Sequence, residues 1–461
     1  MAIGYLDSTY LDNIADAIRE KNGSQNTYTP SQMPQAILDI PTGAEEKPGF
    51  ITFYDWDGKI LYTYTQGEIQ NLQSLPALPS DYKDYHADSW TEELTTLQTT
   101  TVPMNVGINY TTERQTNRLY ITLNEYTLEV RLYADFNTQI DWGDGTTTTA
   151  DATTYHTHVY ERAGDYVIET NQAYLGTSSS NSPIIYSPGD FPNGLPSSAS
   201  SASYTTYNSS ILRWVELGDS CRAGDPNLTD NGVFQYCWNM DRILVPVNAG
   251  IVSNGQWSNG GGLKFCGVKF VTIPSIGTNA TYGLLLNYLP YLERFVIPTA
   301  RKTCTSINGF LQNSYGMKDI VMPWSTVSIS STSISTSSMP YLERFAIKGV
   351  LTQGFSLNLS GTYTPRIFKE LWFEEGLTTI NGFYLNGTPS CSEVFFPSTL
   401  TSLTTNGSLP KIAHFKSVNP PTWTTQNVSI CTVIYVPAES VEAYKTAWPD
   451  CASIIKAEPT S

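Results

Sequence analysis

Between residues 212 and 437 the apolar positions fall into one six-residue phrase, apolar-x-x-apolar-x-apolar, which recurs ten times and is followed in most copies by proline. Its clearest copies are LERFVIP, starting at Leu292, and LERFAIK, starting at Leu342. The others start at Leu212, Met240, Val268, Met317, Phe368, Cys391, Ile412 and Cys431. The copy at Ile412 is the weakest, with Ser417 in place of the last apolar residue. The last two apolar positions alternate, as a strand with one buried face requires. In the copy at Leu292, Phe295 and Ile297 point inward, and Arg294 and Val296 point outward. The first apolar residue closes the turn into the strand, and proline stops the ladder. Repeats at intervals of about 19 to 28 residues mean stacked units that share one core. The pattern therefore predicts a solenoid over 211–458 with ten strands in one parallel sheet. The intervening stretches, such as STVSISSTSISTSSM, suit turns rather than long helices.

The first half of the chain reads differently. Residues 1–41 carry an apolar stripe of Leu11, Ile14 and Ile18, with Ser8 or Thr9 to cap the helix and Gly23 past its end. A second short helix after Pro30 carries Met33 and Ile37. Two such helices bury too little surface to stand alone, so they are predicted to dock on copies of themselves or on another protein. TGAEEKPG, at 42–49, is a linker. Residues 50–105 open on GFITFYDWDGKILYTYT, a hairpin about Asp57-Gly58, and Trp90 closes that unit. Residues 108–185 contain DWGDG, with Asp144 and Gly145 in a turn and Trp142 and Tyr166 in a core. A Ser-, Pro- and Gly-rich connection covers 186–210. The predicted fold class is mainly β and multidomain, with a short N-terminal α-helical segment.

Composition narrows the function. The net charge is −16, which argues against nucleic acid and an anionic membrane surface. Charged residues are only 15% and aromatics 12%, the balance of an extracellular β-rich protein. None of the seven cysteines forms a CxxC pair, so buried free thiols are expected rather than a zinc site. No run of 18 apolar residues occurs, so no membrane insertion is expected. Asp141 and Asp144 are too few for a calcium site, and the glycines at 260–262 lack a phosphate-loop lysine. No catalytic residue, metal or cofactor is predicted. The outward strand positions do form a coherent surface: Trp214, Phe270, Arg294, Arg344, Glu370, Trp372, Phe395 and Tyr435. An aromatic face of this kind suits sugar rings or a protein partner, with Trp372 as its central anchor. Equally, another domain or a neighbouring copy could cover it.

Five stretches resemble four known families. Residues 212–437 resemble the BspA-like leucine-rich repeats of bacterial and phage surface proteins, through VKFVTIPS and SEVFFPSTLTSL. TVIYVPAESVEAYKTAW resembles the capping unit of that family. YLDNIADAIREKNGSQNTYTPSQMPQAI resembles the N-terminal segment of phage tail and baseplate-associated proteins. Residues 50–105 resemble the small β-grasp-like repeat of internalins, with DSW in place of its usual glycine-tryptophan ending. Residues 108–185 resemble a PKD-type Ig-like sandwich, through Asp141 to Gly145, His158-Val159-Tyr160, Gly164, Tyr166 and Val167. Together the resemblances imply a non-enzymatic, structural or adhesive virion protein such as a tail fibre or baseplate component. Its N-terminus would bind other virion proteins and form a homo-oligomer. Two β modules would act as spacers, and the repeats would meet a host-surface glycan or protein. The alternative is a bacterial cell-surface adhesin, and a polysaccharide-degrading enzyme is a third class. The sequence shows no apolar leader or anchor, which favours a virion protein made in the host cytoplasm.

Overall fold

The computed structural model describes residues 48–176, 183–191, 208–223, 233–251, 263, 266–273, 286, 289–298, 311, 314–322, 339–347, 357–358, 369–384, 392–405, 408–424 and 426–459. The helices expected over 1–41, with Leu11, Ile14, Ile18, Met33 and Ile37, lie outside these residues, as do Cys304, Cys391 and most of the 186–210 connection. Phe50–Ser461 forms one compact unit. It is mainly β, 11% helical, and ends in a β-solenoid of about six turns. No helix among the described residues is long and apolar enough to cross a membrane.

The repeat phrase forms the expected parallel strands. Six lie side by side in chain order, Asp319–Met322, Arg344–Ile347, Glu370–Phe373, Glu393–Phe396, Ile412–Phe415 and Val433–Val436, and Ile455–Ala457, which lies beyond the repeats, adds a seventh strand at the edge. Phe345, Leu371, Val394, Ala413 and Ile434 are buried at one shared inward position. Phe373, Phe396 and Phe415 stack from rung to rung at 5.6 and 4.4 Å. A second parallel sheet, including Thr379–Tyr384, Ser402–Thr405 and Thr422–Trp423, adds Ile380, Leu403 and Trp423 to the same core. The capping unit is a helix, Val441–Ala447, whose buried Tyr444 and the adjoining Trp448 close over Phe415 and Trp423.

Register is held by charge as well as by burial. One position per rung reads Arg213, Asp241, Lys269, Glu293, Lys318, Glu343 and Lys369, and from Asp241 onward it directly precedes the strand. Backbone amides bind the preceding carbonyl at every step of this column. Opposite charges thus face each other, with Lys318–Glu293 at 2.9 Å and Lys369–Glu343 at 2.6 Å.

Two details differ from expectation. Ile412 pairs with Glu393, so the ninth phrase begins two residues earlier, at Pro410, and its inward residues are Ala413 and Phe415. Proline at the leading apolar position hid the register. Nor do the strands form one sheet of ten. Leu212–Glu216 and Arg242–Leu244 belong to a six-stranded sheet with Asn117–Leu123, Gly164–Thr170, Gln139–Asp141 and Thr147–Thr149. Asn117–Leu123 pairs antiparallel with the first repeat strand and takes its outer edge.

Behind that sheet lies a three-stranded one of Thr154–Val159, Glu129–Ala134 and Ile185–Tyr186. Leu119, Ile121, Val130, Leu132, Trp142, Tyr160 and Ile168 are buried in the shared core. Trp142 sits as expected, its indole donating to Thr148 Oγ1 at 2.9 Å. Tyr166 is only partly buried. Tyr160 takes the core role instead, its hydroxyl donating to the Trp142 carbonyl at 2.8 Å. At Gly143, φ is +79°, and a Cβ would lie 2.4 Å from the Val167 carbonyl oxygen, so only glycine fits.

Residues 50–112 hold the largest departure. The hairpin Ile51–Tyr54 and Ile60–Tyr64 forms about Asp57-Gly58, and Met104–Val106 adds in parallel to its first strand. Two short helices, Gln66–Asn71 and Leu94–Thr99, bring Ile69 and Leu97 onto Phe53, Tyr85 and Trp90. This unit is no spacer, because it lies on the outward face of the repeat strands. Tyr54 packs on Phe270 and Val296, Val102 on Val321 and Ala346, and Leu244 enters the unit's own core. The approach is so close at Gly107 that a Cβ would stand 2.6 Å from Thr272 Cγ2. Within this dry contact Asp319 binds Arg344 at 2.7 Å and accepts from Asn105 Nδ2 at 3.3 Å. At the first rung Lys83 binds the fully buried Glu216 at 2.7 Å. Burial works against the Lys83 charge, but Glu216, Tyr120 and Tyr82 hold its pKa above the usual range. The cause of the cover is the outward face of these rungs, where Leu244, Phe270, Val296, Val321 and Ala346 would otherwise meet water.

Two substitutions test this contact. Asp319→Ala leaves Arg344 buried without its carboxylate and should cost about 3–5 kcal/mol in urea unfolding. Gly107→Val should cost about 1–3 kcal/mol by wedging the unit from the sheet. A wild-type midpoint for both would mean that the contact is absent in solution.

Candidate functional site

The outward residues that suggested a binding face are placed as follows. Phe270 and Arg344 are buried under residues 50–112. Trp214 is half-buried, stacked on Tyr120 at 4.2 Å and flanked by the Arg242 guanidinium at 5.1 Å. Arg294 is half-buried. Trp372 meets Phe50 edge-on at 5.7 Å and donates its indole N–H to Glu370 at 3.0 Å. Its ring also lies flat on Phe395, with centroids 3.6 Å apart and planes 6° apart. Phe395 stacks on His414 at 4.4 Å, and His414 meets Tyr435 at 5.1 Å with the planes tilted by 32°. Stacking turns ring faces toward each other and leaves mainly edges for solvent, whereas a sugar needs an open ring face. The expectation of an open aromatic platform centred on Trp372 is thereby corrected. The ladder is a packing device, fixed by Glu458, which binds His414 at 2.9 Å, and by Lys416, whose ammonium lies 5.7 Å from the Trp372 ring. Burial lowers the Lys416 pKa, with Glu375 and Glu458 pulling the other way.

Exposed aromatics occur instead on the turn edge of the solenoid. Tyr291, Tyr315 and Tyr341 are 52%, 42% and 57% exposed. They belong to the tight turns that lead into three successive strands, closed by amide bonds from Leu292 to Leu289, Met317 to Ser314 and Leu342 to Met339. Successive rungs are about 4.8 Å apart, so the three side chains form a row. Trp238 extends it, with its ring edge-on to Tyr291 at 6.0 Å. The turns nest tightly: a Cβ at Gly316 would stand 2.7 Å from the Pro290 carbonyl oxygen. Charges of the alternating stripe, Asp241, Glu293, Lys318 and Glu343, run beside this row, two or three residues further along each rung. The sequence carried the signal twice, in PYLERF, but one residue ahead of the strand phrase and therefore outside the alternation.

A cleft of 350 Å³ lies where the first two repeat strands meet Asn117–Leu123 and Gly164–Thr170. Its polar lining includes Asp165, Arg213, Asn239, Asp241 and Arg242, and its aromatic lining is Tyr120, Tyr166 and Trp214. None of these except Trp214 was picked out as a binding residue from the sequence.

The remaining acidic and thiol groups have structural work. Asp141 accepts from the Gly143 amide, and Asp144 from Thr146 and, at 2.7 Å, pairs with His158. Partial burial would raise the Asp144 pKa, but Thr146 and His158 bring it below the usual carboxylate range. Cys221, Cys237, Cys266, Cys431 and Cys451 are buried free thiols, and burial pushes the Cys266 pKa up to about 12.

No protein-family model matches the chain, and no curated protein matches it.

The placements separate two variants. Trp372→Ala removes a stacked, half-buried ring and should lower stability by about 2 kcal/mol. Tyr291→Ala with Tyr341→Ala removes exposed rings and should change stability by about 0.5 kcal/mol or less per site. Thermal melts of both proteins give the comparison, and the reverse order would mean that the face and edge are misassigned.

Proposed function

We propose that this chain is a structural and adhesive component of a phage virion, at or near the tail, and that it meets the host surface through the turn edge of its repeats. In this reading the N-terminal helices dock the protein on other virion components and assemble it with copies of itself. Residues 50–105 are a β-grasp-like unit and residues 108–185 an Ig-like one. The repeat domain is of the BspA-like kind. The N-terminal resemblance to tail and baseplate-associated proteins supports the virion placement.

The observation that carries the adhesive part is the row Trp238, Tyr291, Tyr315 and Tyr341. Three of its four rings are exposed on a backbone fixed by ladder hydrogen bonds, beside a stripe of alternating charge. Tyrosine offers a large contact area at low entropic cost and a hydroxyl for specificity, which suits recognition of a glycan or a protein. The chain's own residues 50–112 already occupy the sheet face from Phe270 to Ala346, and the turn edge offers an aromatic surface open to a partner.

Adsorption tests the reading. Particles carrying Tyr291→Ala with Tyr341→Ala should bind host cells at least tenfold more weakly, with normal particle yield and normal protein occupancy. Normal adsorption at normal occupancy would remove the turn edge as the binding site. Deleting residues 1–41 should leave the circular dichroism of the repeats intact but prevent incorporation into particles. Full incorporation of the truncated chain would move docking elsewhere.

A further inference from the structure

We propose that the cleft between the first two repeat strands and the Asn117–Leu123/Gly164–Thr170 pair binds a sugar bearing a carboxylate, with Arg213 as the anchor. This deepens the reading of the chain as a host-surface binder by naming a ligand class and a second site.

The local backbone explains why Arg213 is available. Leu212 lies opposite Ile121 and Trp214 opposite Tyr120, so Arg213 is an extra residue in a β-bulge. A bulge leaves its residue out of the ladder and re-aims the side chain. Arg213 lines the cleft, and its guanidinium has no ion-pair or hydrogen-bond partner among the described residues. The adjacent acid of the charge column, Asp241, instead accepts from Arg242 Nε at 3.0 Å. An unpaired guanidinium presents a planar donor fork that matches a carboxylate.

The rest of the lining selects for hydroxyls. Asp165 Oδ1 accepts from Thr122 Oγ1 at 2.7 Å, which leaves Oδ2. Asp241 uses Oδ1 for Arg242, which leaves its Oδ2. Asn239 donates Nδ2 to the Ser210 carbonyl at 2.9 Å, which leaves Oδ1 as an acceptor. Three spare acceptors around the unpaired Arg213 fork, with the Arg242 guanidinium tied to Asp241 through Nε, ask for a ligand with several O–H donors and one anionic group. A sugar acid carries both on one small ring, and Tyr120, Tyr166 and Trp214 supply apolar wall for its C–H groups. A doubly charged phosphate would be repelled by Asp165 and Asp241. A neutral sugar would leave the guanidinium without its partner. The volume of 350 Å³ stands at the low end of small-molecule sites, roughly 300–1,000 Å³, and fits a mono- or disaccharide.

Calorimetry and ligand-observed NMR on the full chain test this, with glucuronic and galacturonic acid disaccharides as probes and their neutral hexose counterparts as controls. The uronates should bind at least tenfold more tightly than the neutral sugars. Arg213→Ala should abolish that preference, Arg213→Lys should keep part of it, and Asp165→Asn should weaken every sugar that binds. Equal binding of uronates and neutral sugars, no binding of either, or an Arg213→Ala protein with the wild-type preference would each overturn the proposal. Unchanged thermal melts of the variants separate loss of the site from loss of the fold. The Tyr291→Ala/Tyr341→Ala protein should bind the uronates normally. Failure of host adsorption through the turn edge and failure of the cleft are therefore read independently.

Discussion

The burial of the repeat sheet's outward face beneath residues 50–112 is the contact on which the rest of the molecule depends. A solenoid of this kind satisfies its inward face by stacking, but its outward face must meet water or a partner. Here the outward face carries an apolar residue on each of several rungs: Leu244, Phe270, Val296, Val321 and Ala346. Covering it removes the cost of exposing that surface and ties the N-terminal unit to rungs far away in sequence. It also spends aromatic residues of this face, Phe270 and Trp372 among them, on packing.

Charge completes what burial begins. The column from Arg213 to Lys369 alternates in sign along seven rungs, so a strand displaced by one rung would meet like charge. Inside the covered face, the Asp319–Arg344 pair has Asn105 as a third member, and Lys83 reaches the buried Glu216. Asn105 joins residues 50–112 to the rungs of Phe295, Asp319 and Arg344, and Lys83 joins them to the rung of Glu216. An apolar interface alone would tolerate sliding, whereas a buried acid that lost its partner would be costly. The outcome is a single unit from Phe50 onward whose turn edge and first-rung cleft are held in fixed places.

What the sequence revealed follows from the range of each interaction. Alternation within one strand is local, so the inward placing of Phe295 and the outward placing of Arg294 were legible. The same holds for the hairpin at Asp57-Gly58, the buried Trp142 and the closing helix after Val436. The cover was not legible because Asn105 and Asp319 are 214 residues apart and neither belongs to a shared period. Pro410 concealed the ninth rung by occupying an apolar position. The tyrosine row escaped notice because Tyr291, Tyr315 and Tyr341 precede their strands, where alternation carries no information. Arg213 stands between Leu212 and the outward Trp214, where alternation gives it no role. Only pairing with Ile121 and Tyr120 reveals the bulge that frees it.

A cross-link across the covered face tests the central claim most directly. A Cβ built at Gly107 would lie 3.3 Å from Thr272 Cβ, close to the roughly 3.5–4.5 Å of a disulfide. The chain carrying Gly107→Cys and Thr272→Cys should form this bond under mild oxidation, with the linked peptides recovered by mass spectrometry. The account predicts near-complete cross-linking within one chain at any protein concentration. Two free thiols in a protein with native circular dichroism would contradict it, because residues 50–112 would then not lie on the repeat sheet.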